Sequence, residues 1–298
     1  MSASTLSVRH LLLALLIVTI WGSNFVAIKL ALHDLPPLLL GAVRFVFVAL
    51  PAVFFLRRPA IPVGRLLTYG FSMFGFQFGF LFLGMKLGVP AGLASLVLQF
   101  QVFVTMALAA VVLKERISFA QISGALLAGA GFVVVGLHTS GDVTVAGLAC
   151  VLLAAVSWGF ANFTSKRLGQ VNPLALVVWG SLVVPVPMAL ASYVFEGPEL
   201  IVRSLTHLGG PAIWSVAYIV YLSTLVAYSL WSWLLARHPA TTVTPFALLV
   251  PVVGLLSSAL LLGETLPPWK VAAAALVITG LAINVFGSRW QKAALARN

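Results

Sequence analysis

The chain has 298 residues, 61% of them apolar and only 8% charged. A soluble domain is about 25% charged, so this composition excludes a soluble fold of this size. The net charge of +11 invites a nucleic-acid partner, but Lys and Arg come in ones to threes between apolar runs and build no patch, so nucleic acid is excluded too.

A bilayer core of about 30 Å takes about 20 apolar residues per helix. Ten runs are long enough, numbered here spans 1 to 10: 11–32, 35–56, 66–85, 89–113, 117–137, 143–165, 173–195, 211–236, 239–262 and 267–287. Span 1 follows Arg9 as a signal peptide would, but no small-residue cleavage site comes after it and the run continues past Trp21 to Leu32. Span 2 carries Arg44 about nine residues in, roughly 13 Å deep at 1.5 Å per residue. Span 5 has the small residues Gly124, Ala128 and Gly131, which suit close helix contact but leave the oligomeric state open. Cys150 in span 6 stands alone, which excludes a disulfide framework or a cysteine metal site and leaves it as a small packing residue. Pro51, Pro185, Pro187, Pro245 and Pro251 lie within spans and predict kinks or breaks, chiefly in spans 7 and 9. The longest connection, 196–210, reads as a loop, and 288–298 as a basic tail. No ten-residue alternation supports a barrel. The expectation is an all-α integral membrane protein of ten transmembrane helices.

Orientation follows the basic residues. With the N-terminus inside, Arg9, Arg57, Arg58, Arg65, Lys114, Arg116, Lys166, Arg167, Arg237, Arg289, Lys292 and Arg297 fall on the cytoplasmic side, against Lys86, Arg203 and Lys270 opposite. Twelve against three places both termini in the cytoplasm. The chain also repeats itself. Trp21-Gly22 with Lys29 and Pro36 recurs as Trp158-Gly159 with Lys166 and Pro173, at an offset of 137. Pro90-Ala91, Glu115 and Gly131 recur as Pro239-Ala240, Glu264 and Gly280, at an offset of 149. Two five-span halves result, 11–137 and 143–287. Because five is odd, the second enters the membrane inverted, as in many secondary transporters with a site near the midplane.

Asp34, Glu115, Asp142, Glu196, Glu199 and Glu264 all fall at or beyond span ends, as do His10, His33, His138, His207 and His238. Intramembrane proton relays and hydrolytic sites are built from such groups, so neither an enzyme nor a pump with a midplane carboxylate is expected, and no metal site or cofactor. For Glu115 and Glu264 the plain reading is capping of the next helix; the other is a proton taken at the rim. Two cations lie inside spans. Lys29 is near enough to a span end to snorkel. Arg44 is too deep for that and stands between two readings, a structural bond to backbone carbonyls or a substrate contact.

The uncharged polar residues spread over several spans: Asn24 on the face of Trp21 in span 1, Gln77 in span 3, Gln99 and Gln101 in span 4, and Asn162 in span 6. Gln99 and Gln101 stand about 200° apart on an α-helix, so only one can face a given cavity. In span 8, Tyr218, Tyr221, Tyr228 and Ser232 fall within about 80° of one another. Each alone could serve as an interhelical bond worth about 0.6 kcal/mol. As a set they predict a polar cavity, with Trp21, Asn24, Arg44, Gln77, Gln99, Asn162, Tyr221 and Tyr228 as candidate contacts.

The run W-G-S-N-F-V-A-I-K at 21–29, with Glu115, Gln121, Gly124 and Gly131, resembles the EamA-type repeat of the drug/metabolite transporter superfamily. The second half departs from it: Lys270 and Ala273 stand at the Gln and Gly positions, and Asn162 lies one place later than Asn24 implies. The resemblance covers about residues 15–287. Within the superfamily, 90–99, 248–255 and 283–287 look closest to bacterial inner-membrane exporters of cysteine-pathway metabolites such as cysteine and O-acetylserine. The resemblance implies ten helices, cytoplasmic termini, a cavity lined by spans 1, 3, 4, 6, 8 and 9, and export by alternating access in the bacterial inner membrane. The alternatives left open are a carrier of drugs or other solutes, and a membrane enzyme or lipid-handling protein.

Overall fold

The computed structural model describes residues 7–115, 117–138, 143–238 and 240–295, with the backbone alone for 240, 241 and 288–295. Arg116, Asp142, Pro239 and Arg297 lie outside the described residues, as do the side chains of Arg289 and Lys292. Among the described residues ten helical spans are long and apolar enough to cross a bilayer: Val8–Asp34, Pro37–Phe54, Val63–Lys86, Ala91–Leu113, Phe119–Leu137, Val145–Lys166, Pro173–Phe195, Gly210–Arg237, Thr244–Leu262 and Pro268–Gly287. No strand occurs among the described residues. With no water in a bilayer core, every backbone N–H and C=O must bond within the chain, and helices meet that demand. The outer surface carries bare Phe54, Leu126, Val133, Leu190, Phe195 and Leu260, a lipid-facing surface that would be an association hazard in water.

Helix starts follow local chemistry. Ser7, Thr144 and Asn172 accept backbone N–H groups of the first turns of spans 1, 6 and 7, and Ser118 with Gln121 forms a reciprocal capping box at span 5. Spans 2 and 4 start after Pro36 and Pro90, which have no side-chain group to cap with. Carboxylates from distant spans supply what is missing. Glu196 accepts from Leu38 N at 2.6 Å and Leu39 N at 3.0 Å, and Glu264 accepts from Ala91 N at 2.7 Å and Gly92 N at 3.1 Å. Glu264 therefore caps span 4 and not the helix that follows it.

The breaks fall where proline removes a donor. Span 2 leaves α-geometry after Ala49, just before Pro51; span 7 breaks between Ser181 and Pro185; span 9 runs as a 3-10 turn over Thr244–Leu249 before its α-helix at Val250. Two departures were not expected from sequence. Segments Phe71–Phe76 of span 3 and Tyr218–Val226 of span 8 are π-helical. The connection read as a loop at 196–210 contains a short helix, Pro198–Thr206, begun by Gly197 at φ +86 and Pro198 in the first turn; Pro at N1 and a freely turning Gly before it suit a helix start.

Span 1 packs on spans 8 and 9, span 3 on span 6, span 4 on spans 6 and 9, span 2 on span 7, and span 5 along span 10. The small residues of span 5 serve this last, intrachain contact: a Cβ on Gly124 would stand 2.5 Å from Gly280 O, and one on Gly280 would stand 2.5 Å from Gly124 O.

Candidate functional site

A cavity of about 470 Å³ sits among spans 1, 2, 3, 4, 6, 8 and 9. Trp21, Asn24, Arg44, Gln77, Gln99, Asn162 and Tyr228, all candidates from sequence, line it. No acidic residue and no histidine is among the described residues that line it.

Tyr221 is a correction. It is 47% exposed on the outside of span 8 and does not line the cavity. The α-helical phase that aligned it with Tyr228 fails because residues 218–226 are π-helical, and each residue of that wider turn advances less than an α-helical residue. Tyr218 also lies off the cavity, its hydroxyl bonded to Ser23 Oγ at 2.7 Å and Ile20 O at 3.1 Å. The choice between Gln99 and Gln101 dissolves in a similar way: both line the cavity, because Leu98–Phe100 form a 3-10 turn that rotates 99 and 101 toward each other relative to α-geometry. Gln101 Oε1 accepts from Asn162 Nδ2 at 2.7 Å.

Arg44 is 3% exposed. Its Nη2 donates to Thr224 Oγ1 at 3.1 Å, and its Cζ stands 4.0 Å from the Phe78 ring centroid and 5.3 Å from that of Phe45. It makes no bond to backbone carbonyls, so that sequence reading is set aside. Nε and Nη1 are buried and without partners. Among the described residues two other buried polar atoms lack partners, Asn24 Oδ1 and Gln77 Oε1, and their residues line the same cavity. Buried polar atoms are nearly always paired, and an unsatisfied one costs about 1–3 kcal/mol. Four on residues that line one cavity, two cationic donors and two carbonyl acceptors, are unfilled hydrogen-bonding capacity of both signs.

An aromatic wall completes the space. Trp21 packs against Tyr228 and Trp231 at 5.3 and 5.1 Å between ring centroids, and its indole N–H donates to Ser223 O at 3.1 Å. Sequence reasoning passed over Trp158 and Trp231 as lining residues, although Trp158 is the repeat counterpart of Trp21 and Trp231 stands three residues from Tyr228 on a helix. Thr224, the partner of Arg44, carried no signal at all.

Let the first face of the bundle be the one at which span 1 begins, and the second face the one at which it ends. A vestibule of about 400 Å³ at the first face, lined by Thr105, Met106, Ala109, Glu115, Lys166 and Asn284, shares Gln101 and Asn162 with the cavity. The second face is tied across. Besides the Glu196 and Glu264 caps, Lys29 donates to Met85 O at 3.2 Å, Lys86 to Leu32 O at 2.8 Å, Thr144 to Leu87 O at 2.7 Å and Gly209 N to Asp34 at 2.9 Å. Lys29 thus ends on a carbonyl in the last turn of span 3. At the first face Glu115 caps no helix: it pairs with Lys166 at 2.6 Å.

Ten apolar spans around a solute-sized polar cavity define a membrane carrier in outline. The family model of EamA-like transporters matches residues 8–137 and again 145–286, and the chain belongs to that family. It is 45% identical over 288 residues to a protein of Salmonella typhimurium named a probable amino-acid metabolite efflux pump, a match covering 95% of this chain and 96% of that one. A protein of Escherichia coli K12 with the same name is 43% identical over 94% of this chain and 96% of its own length. A solved crystal structure with 22% identity aligns over 92% of this chain with a TM-score of 0.63, which supports the fold alone. The protein is a multi-pass inner-membrane transporter.

Proposed function

We propose that the protein exports amino acids or their metabolites by alternating access, with no catalytic step and no cofactor. The observation that carries this is the cavity's set of unpartnered groups: a buried guanidinium with two free donors, and the carbonyl oxygens of Asn24 and Gln77. A zwitterion fills both needs at once. Its carboxylate takes one edge of the Arg44 guanidinium in parallel bonds, with the second hydrogen of Nη2 acting beside Nε or Nη1, a geometry lysine cannot copy. Its ammonium takes the amide carbonyls and the faces of Trp21 or Tyr228, a cation–π contact of about 0.5–2 kcal/mol. The names of the Salmonella and E. coli relatives point the same way. With no acid or histidine among the described residues that line the cavity, a facilitator or exchanger is favoured.

Counterflow in proteoliposomes tests this. Labelled cysteine, O-acetylserine and threonine are expected to exchange against unlabelled internal substrate, and a lipophilic cation is not. Exchange of the cation alone would transfer the protein to the drug carriers, and a chemically altered product would make it an enzyme.

The reading includes two inverted halves with both termini in the cytoplasm. Several repeat-related contacts support the halves. A Cβ on Gly22 would meet Val253 Cβ at 2.5 Å and one on Gly159 would meet Val104 Cβ at 2.6 Å, and these pairs are related by the offsets 137 and 149. The two π-helical segments fall at corresponding positions of spans 3 and 8. Orientation rests on the twelve-to-three distribution of basic residues. Alkaline phosphatase fused after Asn298 is expected to be inactive, and the same enzyme inserted between 196 and 210 active; the reverse pattern overturns the orientation.

A further inference from the structure

Spans 4 and 9 end in the same turn. Lys114 and Gly263 both adopt left-handed backbone, at φ 56 and φ 67, and the next residue closes the turn in both: Glu115 N donates to Ala109 O at 3.4 Å, and Glu264 N to Ser258 O at 3.3 Å. Each of these pairs is separated by 149. Two glutamates are therefore presented from matching turns at opposite faces of the bundle, yet they are bonded differently. At the second face Glu264 holds the first two N–H groups of span 4, while Lys29 donates to Met85 O. At the first face Glu115 pairs with Lys166, which is the repeat counterpart of Lys29. The capped face is the one tied across by further hydrogen bonds, and the paired face is the one where the vestibule opens.

We propose that these four residues are two gates that exchange partners in antiphase. When the first face closes, Glu115 leaves Lys166 and takes the N–H groups of Ala240 and Thr241, which open the four-residue helical turn Ala240–Val243 leading into span 9 and stand 149 residues after Ala91 and Gly92. When the second face opens, Glu264 releases span 4 and pairs with Lys29. A carboxylate on two backbone N–H groups at a helix start is a charge-assisted contact. An exposed Lys–Glu pair is weaker. Each state of the carrier then holds one strong cap and one weak pair, so the exchange leaves the balance between states near even. A carrier needs this, because each state must stay accessible for the solute to shift between them. It also accounts for charged residues at repeat-related span ends that do not line the central cavity.

The inference rests on the two-half, alternating-access reading but not on the substrate, so its test uses no substrate. In a Cys150→Ser background, Ala109→Cys reports the first face from within the vestibule, and Ser258→Cys, its repeat counterpart, lies buried beneath the Glu264 cap. The ratio of maleimide labelling rates at 109 and 258 follows the ratio of the two states. Glu264→Gln removes the cap's charge at the second face and is expected to lower that ratio about tenfold, the size of one charge-assisted bond. Glu115→Gln is expected to raise it by a similar factor, and the double variant to return it to within about threefold of the parent. Lys166→Gln, which leaves the starts of spans 4 and 9 untouched, is expected to lower the ratio as well. If both glutamine variants move the ratio in one direction, or leave it unchanged while lowering thermal stability, the glutamates only brace the fold and the antiphase exchange is wrong. Failure of counterflow with amino acids, by contrast, would remove the substrate and leave this result standing.

Discussion

Arg44→Met is expected to abolish transport while making the protein more stable. The guanidinium is 3% exposed, has one hydrogen-bonded partner in Thr224 and leaves Nε and Nη1 unsatisfied. Contact with the Phe78 and Phe45 rings recovers part of the desolvation cost but makes no hydrogen bond. Replacing a poorly compensated buried ion by an apolar side chain of similar volume commonly stabilises by about 1–4 kcal/mol. Arg44→Lys keeps a charge but offers a point in place of a fork. A hydrogen bond to a charged group contributes about 1.5–3 kcal/mol, so the half-saturation for substrate is expected to rise about 10–150-fold. Substrate at 100 times its dissociation constant should stabilise the parent by about 2.7 kcal/mol, and should leave Arg44→Met unmoved. Thermal unfolding of the purified carrier, with and without substrate, reads both effects. If Arg44→Met unfolds more readily than the parent and Arg44→Lys transports normally, Arg44 is a structural residue, and the amides and aromatic faces bind the solute alone.

That residue also marks how far the sequence was legible. Depth in span 2 singled out Arg44 because an ionised group in an apolar run is expensive wherever it points. Which atoms were left unsatisfied depended on Thr224, which comes 180 residues later. The spans were legible because the bilayer sets their length, and the breaks near Pro51, Pro185 and Pro251 because proline has no N–H to give. Helical phase was the weak link. Assuming 100° per residue throughout put Tyr221 inside and made Gln99 and Gln101 exclusive, and a π segment and a 3-10 turn reversed both. Neither has a composition that sets it apart from an α-helix. The helix Pro198–Thr206 was missed because a search for runs of about 20 residues passes over nine, although Gly197-Pro198 was a start signal. The caps made by Glu196 and Glu264 reach 158 and 173 residues back along the chain. A carboxylate at a span end announces that it needs donors, but not which helix end supplies them.

The seam between spans 5 and 10 gives the second large effect, on stability. Gly280→Ala is expected to destabilise the protein by about 1–3 kcal/mol, the usual cost of forcing a methyl group into a packed contact. The new carbon would lie 2.5 Å from Gly124 O, 2.6 Å from Ala128 N and 2.8 Å from Ala128 Cβ. Two of those atoms are backbone and cannot swing aside, so the helices must separate. Separation is costly here because apolar side chains gain little by leaving lipid, and packing is the main attraction between membrane helices. Gly129→Ala, on the same span 5, is the control: its new carbon would meet nothing within 4 Å. There the substitution only removes the freedom of a helical glycine, and a gain of about 0.5–1 kcal/mol is expected. The same chemical change should therefore carry opposite signs at positions 129 and 280 in thermal unfolding of the detergent-solubilised protein. Equal losses at both would mean that glycine's flexibility is what matters, while no loss at 280 would mean that spans 5 and 10 do not approach as closely as Gly124 and Gly280 permit.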